Sequence, residues 1–163
     1  LKSDGFEQIT IDLSDTGVHQ GELGTSAIVR GIAARFKEKG IEIGGFDAYC
    51  TSDVICGGGI SSSAAFEMLI CTVIDEHYNK EKSSALEMAR IGWFAETTYF
   101  GKKCGLLDQT VSAFGGLVGI DFSDVANPII EKIDYDFSQS GYTLCITDTK
   151  SSHEDLTDDY VAI

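Results

Sequence analysis

The chain has 163 residues, a length typical of one domain, and 43% hydrophobic against 23% charged residues excludes a disordered protein. Twenty-six acidic residues against 12 basic ones give a net charge of −14, which disfavours nucleic acid and anionic membranes as partners. No apolar run reaches the ~18–20 residues of a membrane span, and the first residues do not resemble a signal peptide.

The first third of the chain is predicted to contain two strands and one helix. Apolar and polar residues alternate over 9–13, which predicts a strand. A helix is predicted over 25–40, with Thr25 or Ser26 as its cap. After a two-glycine turn, a second strand is predicted over 46–54.

The middle of the chain is predicted to be helical. Residues 61–78 are apolar nearly all round, which predicts a helix buried on most sides. Ser84 and Glu87 have the spacing of a capping box, so the next helix should begin there and run to Gly101. A short helix is predicted over 107–114.

Three further strands are predicted, over 117–122, 129–135 and 142–148. Strands therefore flank a block of helices instead of alternating with them, which favours an α+β domain over a doubly wound sheet. No repeat, low-complexity tract or linker divides residues 1–163, so we expect one domain.

Cysteine and histidine positions disfavour a metal centre built from these residue types. The five cysteines contain no C-x-x-C pair, and the three histidines lie far apart in the sequence. We therefore expect reduced thiols in a cytoplasmic protein and no zinc site.

A run of glycines and serines stands at the start of the predicted buried helix. Glycines allow the backbone to approach a ligand, and the first N–H groups of a helix bind phosphate. The run contains no lysine and is not a Walker loop. A plain turn with a serine cap is the alternative, but serines placed on the helix start favour phosphate binding. The run consists of Gly57, Gly58, Gly59, Ile60, Ser61, Ser62, Ser63 and Ala64.

Two acidic residues complete a possible phosphoryl-transfer site. Asp108 follows Gly105 at a predicted helix start, where a simple N-cap is the alternative. Glu96 lies on the preceding helix, where a solvated glutamate is the alternative. Phosphoryl transfer needs a phosphate cradle, a metal with oxygen ligands and a carboxylate near the attacking hydroxyl. The glycine–serine run, Ser63 with Glu96, and Asp108 could supply them.

In combination these motifs resemble the GHMP small-molecule kinases and, within that family, the galactokinases. Residues 57–65 are similar to the family's Gly-x-Gly-Leu-Ser-Ser-Ser-Ala ATP-binding loop, with Ile60 in place of leucine. Residues 104–109, Cys-Gly-Leu-Leu-Asp-Gln, are similar to the galactokinase element Cys-Gly-Ile-Met-Asp-Gln. The likeness runs from about residue 25 to the end of the chain.

The resemblance implies a fold and an activity. The fold would be that of a ribosomal-protein-S5-like N-terminal domain, with a mixed or antiparallel sheet and helices on one face. The activity would be ATP-dependent phosphorylation of galactose at its C1 hydroxyl, with Mg²⁺ as cofactor and ATP as co-substrate. A kinase of galacturonate or N-acetylgalactosamine, and a non-catalytic sugar sensor derived from a galactokinase, are the alternatives.

The resemblance also implies residue roles. Backbone amides of the loop, through Ser62, would hold the triphosphate. Ser63 and Glu96 would ligate Mg²⁺. Asp108 would face the C1 hydroxyl as base or orienting group, and Gly105 would contact the sugar through its backbone.

Two departures from the family pattern bear on what the chain can do alone. Ile55 stands where the family usually has proline, which loosens the entry to the loop. The family's N-terminal signature would precede residue 1, and its third motif would follow residue 163. We therefore expect most of an N-terminal domain, without its first strands and without the C-terminal domain. Such a chain should be inactive by itself and should self-associate through an exposed sheet edge.

Overall fold

The computed structural model describes residues 1–22, 24–56 and 58–147. These residues form α-helices and short strands, with a π-helical turn that continues the third helix. The helices are α1 (Thr25–Glu38), α2 (Ser62–Tyr78), α3 (Ala85–Phe94) with its π turn (Ala95–Phe100), and α4 (Leu107–Phe114). The strands are β1 (Lys2–Ser3), β2 (Tyr49–Cys50), β3 (Leu117–Asp121) and β4 (Ile129–Ile133), and a 3₁₀ turn spans Phe137–Gln139.

The core lies where α1, α2 and α3 meet. Ile32 and Phe36 of α1 are four residues apart and fully buried, and so are Ile70 and Ile74 of α2. That spacing places each pair on one helix face, so two apolar faces pack together. Burial of each such side chain contributes about 1.5–3 kcal/mol. Seven of the 17 residues of α2 are buried, but Leu69 is 41% exposed, so the prediction that α2 is buried on most sides holds only in part.

The capping box at the start of α3 is confirmed in both of its hydrogen bonds. Ser84 Oγ accepts from the Glu87 backbone N–H at 3.3 Å, and Glu87 Oε2 accepts from the Ser84 backbone N–H at 2.9 Å. The helix ends at Gly101, whose φ of +79° places it in the left-handed region. Within the described residues, no helix is both long enough and apolar enough to cross a bilayer.

The strands correct the sequence analysis. β1 pairs with β2 in parallel and β3 pairs with β4 antiparallel, so the described residues contain two separate two-stranded sheets and no single mixed sheet. The structure is therefore α+β, whereas the ribosomal-protein-S5-like arrangement stays a prediction. The predicted strand at 9–13 forms no ladder, and that at 46–54 is reduced to β2. Residues 142–147 form no ladder with any described residue, and position 148 lies outside the described part of the chain.

The reason for this difference is that the alternation of apolar and polar residues does not specify whether the backbone has a neighbouring strand. Ile11 and Leu13 do pack against the core, as the alternation implies. Their backbone has no ladder partner among the described residues. Tyr142, Leu144 and Ile146 alternate as well, but they are 70–80% exposed. Self-association through such surfaces stays a prediction.

Gly31 permits the close approach of α1 to the π turn. A Cβ atom at Gly31 would lie 2.9 Å from Ala95 Cα and 2.8 Å from the Tyr99 ring. Real Cβ contacts of this length do not occur with backbone atoms, so any side chain here would force the two elements apart. Since the π turn carries Glu96, this contact also sets where Glu96 stands relative to α1.

We predict that Gly31→Ala lowers the free energy of unfolding by about 1–3 kcal/mol, because overpacking outweighs the better helix propensity of alanine. Urea denaturation measures the change. Gly45→Ala is the control, since no atom lies within 4 Å of its Cβ position, and it should change stability by less than about 0.5 kcal/mol. Equal stabilities of the two variants would contradict the close contact.

Candidate active site

The start of α2 is shaped for anion binding. Gly59 has a φ of +71°, and Ser61, the residue before the helix, has a φ of +60°, a left-handed conformation that is uncommon for serine. The Ser61 side chain does not cap the helix, and the first turn contains no acidic residue. The positive end of α2 is therefore not neutralised from within the helix. Gly57 lies outside the described residues; Gly58, Gly59 and Ile60 are exposed.

The side chain of Glu96 lies at the centre of a polar cluster. The residue is only 2% exposed, so the alternative of a solvated helix glutamate is wrong. Its Oε1 accepts from Ser63 Oγ at 3.2 Å and from Lys102 Nζ at 3.1 Å. Its Oε2 accepts from Gln109 Nε2 at 2.6 Å and from Cys104 Sγ at 3.2 Å. Ser63 and Glu96, which the sequence analysis paired as metal ligands, are thus brought together.

Local backbone structure explains how four donors converge on one carboxylate. Glu96 lies in the π turn. Single π-helical turns, which are wider than α-helical turns, occur frequently at functional sites. The left-handed Gly101 then reverses the chain, and the Lys102 N–H donates to the Glu96 carbonyl at 3.0 Å. Trp93 Nε1 donates to the Cys104 carbonyl at 2.9 Å and holds the returning segment against α3.

Gln109 bridges Glu96 to a second buried carboxyl group. Its Nε2 also donates to Glu67 Oε2 at 3.0 Å, and Glu67 on α2 is completely buried. Burial, together with the nearby charge of Glu96, raises the pKa of Glu67 to about 8. Glu67 therefore carries a proton at neutral pH, while four donors surround the side-chain oxygens of Glu96. Within the described residues, Oε1 of Glu67 and Oε1 of Gln109 have no hydrogen-bond partner.

Neither member of this bridge was assigned a role from the sequence, although one signal was present. Glu67 is the only charged residue between Asp53 and Asp75, inside a helix that is otherwise apolar. A lone charge in a buried helix needs a polar partner, so it indicates a buried polar contact. Gln109 offered no such signal, because its partners are distant in sequence.

Cys104 acts in the cluster as a neutral donor. Burial, together with the hydrogen bond to Glu96, raises the pKa of its thiol to about 12. The thiolate form, which is the nucleophile in cysteine chemistry, is therefore not populated at neutral pH. The cluster thus holds one ionised carboxylate, one protonated carboxyl and one lysine cation.

A cleft of about 900 Å³ opens beside this cluster. Ser62, Ser63 and Glu96 line it, together with apolar side chains such as Phe6 and Phe66. The cleft is large enough for a small-molecule ligand. Ser62 of the expected phosphate loop and the expected metal ligands Ser63 and Glu96 therefore face one common space.

Asp108 and Gly105 are exposed at the start of α4 and are not among the residues that line the cleft. Asp108 is the second residue of α4 and Leu106 is the N-cap, so the alternative that Asp108 simply caps the helix is wrong. Among the described residues, its side chain makes no hydrogen bond. The charge of Asp108 also raises the pKa of Glu67, but it does so less than burial and the charge of Glu96.

The Ser63–Glu96 pair fits one side of a magnesium site. Mg²⁺ binds oxygen ligands at about 2.0–2.1 Å in octahedral geometry, so neighbouring ligand oxygens lie about 2.9 Å apart. The two oxygens here are 3.2 Å apart. No group of three or more His, Cys, Asp or Glu side chains suited to a metal occurs in the described residues. Water and phosphate oxygens would have to complete the coordination, as is usual for Mg²⁺.

Comparisons with known proteins agree on the family. Residues 27–116, more than half of the chain, match the GHMP kinases N terminal domain. A galactokinase of Clostridium tetani is 30% identical over 108 residues, which is 66% of this chain and 27% of the relative. A galactokinase of Thermococcus kodakarensis is 34% identical over 109 residues (67% and 29%). One of Thermotoga neapolitana is 29% identical over 135 residues (81% and 37%). The chain spans roughly a third of the length of these relatives.

We predict that Glu67→Gln changes how stability depends on pH. The ordinary pKa of 4.5 applies to the unfolded chain and about 8 to the folded one, so the folded state holds the extra proton between these values. This contribution is complete below about pH 4.5 and is lost as the pH rises to about 8, by up to ~1.4 kcal/mol per pH unit. Glutamine does not titrate. The variant should therefore gain stability relative to the unmodified chain over this interval, as measured by urea denaturation.

A matched change, Glu131→Gln on β4, controls for the loss of one carboxylate, because Glu131 is exposed. Its stability relative to the unmodified chain should not vary with pH in this way. A difference for Glu67→Gln that stays flat from about pH 5 to pH 8 would show that Glu67 is ionised in the folded protein.

Proposed function

Because the chain belongs to the GHMP kinase family, we propose that it forms the nucleotide-binding part of an ATP-dependent sugar kinase. We propose galactose as the sugar and its C1 hydroxyl as the acceptor, so that the product is galactose 1-phosphate. The names of the similar proteins support this choice of substrate. The observation that carries the proposal is the contact between Ser63 and Glu96 at the uncapped start of α2.

Backbone N–H groups at the start of α2 would hold the phosphates of ATP. The segment from Gly58 to Ser62 turns with positive φ at Gly59 and Ser61. The first N–H groups of a helix have no partner inside the helix and are available to a ligand. Helix N-termini bind phosphate through these donors and the helix dipole. Gly57 was assigned to the same cradle from the sequence.

Ser63 Oγ and Glu96 Oε1 would hold Mg²⁺, since both are hard oxygen ligands at a suitable separation. The bound ion would neutralise charge on the transferred phosphoryl group. Gln109 and Cys104 hold the other oxygen of Glu96, so Oε1 keeps its direction toward Ser63. The chain's own contribution is thus a fixed carboxylate orientation before any ligand arrives.

Asp108 would orient or deprotonate the sugar hydroxyl, and Gly105 would contact the sugar through its backbone. Asp108 directly precedes Gln109, which is hydrogen bonded to Glu96. The side chain of Asp108 is exposed and available to a substrate. The Cβ position of Gly105 has no atom within 4 Å, which leaves space for a ligand against the backbone.

In the full-length protein that contains this chain, we predict that Asp108→Asn lowers kcat for galactose by about 10²–10⁴. Calorimetry should show unchanged ATP binding, because Asp108 is not placed among the phosphate donors. Asp47→Asn is the matched control, since Asp47 is exposed and far in sequence from the site. Near-normal turnover of Asp108→Asn would contradict the assigned role.

The alternatives are separated by the same assay. A panel of galactose, galacturonate and N-acetylgalactosamine identifies the sugar from the ratio of kcat/KM values. A sensor would bind sugar and ATP without releasing ADP. The presence of Ser63 and Ala64 favours an enzyme, because such sensors can lose this dipeptide from the loop.

The 163-residue chain by itself is predicted to fold at least partly and to show no galactose phosphorylation. The family's N-terminal signature, which would supply a cationic group to the phosphoryl group, is not in this sequence. A coupled ADP-release assay with galactose and Mg·ATP measures this. Turnover above background that Asp108→Asn removes would show that the chain holds the whole catalytic machinery.

A further inference from the structure

The negative charge of Glu96 already has a positive partner in this structure. Its Oε1, the oxygen proposed to face Mg²⁺, is hydrogen bonded to Lys102 Nζ at 3.1 Å as well as to Ser63. The side chain of Glu96 is 3% exposed and that of Lys102 is 38% exposed. A buried carboxylate without a cation is costly, whereas a half-exposed ammonium reaches water easily.

The geometry sets an upper limit on how far a metal ion could stay from this ammonium. Mg²⁺ binds carboxylate oxygen at about 2.1 Å, so an ion on Oε1 would lie no farther than about 5.2 Å from Lys102 Nζ if the lysine stayed in place. Two positive charges at that distance in a partly buried site repel each other strongly. A metal ion on Glu96 Oε1 and the Lys102 ammonium in its observed position therefore compete for the same carboxylate.

The backbone around Lys102 is held in place, whereas its side chain is 38% exposed. Its backbone N–H is bonded to the Glu96 carbonyl at 3.0 Å, and the Cys104 carbonyl is held by Trp93 at 2.9 Å. The side chain of Asp108 is exposed, so solvent screens its charge. A change of cation at Glu96 thus requires a change of lysine rotamer and no rearrangement of the fold.

We propose that Lys102 is the resident counter-ion of Glu96, and that a divalent cation binding at Ser63 and Glu96 displaces it. One cation at a time then balances the buried carboxylate. The site stays paired when no metal is present, and metal binding releases a lysine ammonium at the edge of the cluster. This inference rests on the metal site of the proposed function. The experiments below therefore distinguish failure of the cation exchange from failure of the metal site itself.

The first experiment measures binding of Mn²⁺ alone, as a hard-cation probe detected by electron paramagnetic resonance, with no nucleotide present. Lys102→Met should bind Mn²⁺ about tenfold more tightly than the unmodified chain, because the competing charge is gone. Lys103→Met, which removes the neighbouring exposed lysine, should leave the affinity unchanged. Unchanged or weaker binding by Lys102→Met would overturn the proposal.

The second experiment uses the unmodified chain and so does not depend on the folding of a variant. The rate at which an amine-specific acylating reagent modifies each lysine is followed by mass spectrometry with and without Mn²⁺. Modification of Lys102 should accelerate several-fold with the metal, while that of Lys103 should not change. If Mn²⁺ binds and Lys102 is not accelerated, the exchange is wrong and the metal site stands. If Mn²⁺ binds to neither the unmodified chain nor Lys102→Met, both fail.

Discussion

The buried carboxylate of Glu96 is the constraint on which the rest of the candidate site depends. A charge that is 2% exposed must be paired and hydrogen bonded, and here the helix start of α2, the segment after Gly101 and α4 each contribute a donor. The reversal at the left-handed Gly101 returns Lys102 to Glu96. The carboxylate thus adds polar contacts between elements that also pack through their apolar side chains.

A second consequence is the division of charge between two carboxyl groups that share one amide. Gln109 Nε2 donates to both Glu67 and Glu96, but the other donors all contact Glu96. Among the described residues, the Glu67 side chain receives one hydrogen bond, and burial together with the nearby charge of Glu96 raises its pKa to about 8. Gln109 and Cys104 hold Oε2 of Glu96, so its Oε1 stays oriented toward Ser63.

Much of the helical structure could be predicted from the sequence, and so could two of the site residues. Helix boundaries depend on local signals, such as the Ser84–Glu87 capping box, which act over one turn. Strands were less predictable, because a ladder needs a partner backbone that alternation over 9–13 or 142–147 does not specify. The roles of Ser63 and Glu96 as metal ligands stay predictions, although the structure places the two side chains in contact at 3.2 Å.

The sequence by itself determined the family, the α+β class, the buried helix α2 and the glycine–serine loop before it, since all of these are written in local patterns of residue type. Only the tertiary structure decided which side chains share the buried charge. Lys102 and Gln109 lie 6 and 13 residues from Glu96, and Gln109 lies 42 from Glu67. Polar contacts at such separations depend on how the helices pack and where the chain reverses. A side chain's partner is set by proximity in three dimensions, and no periodic pattern of residue types in the sequence indicates it.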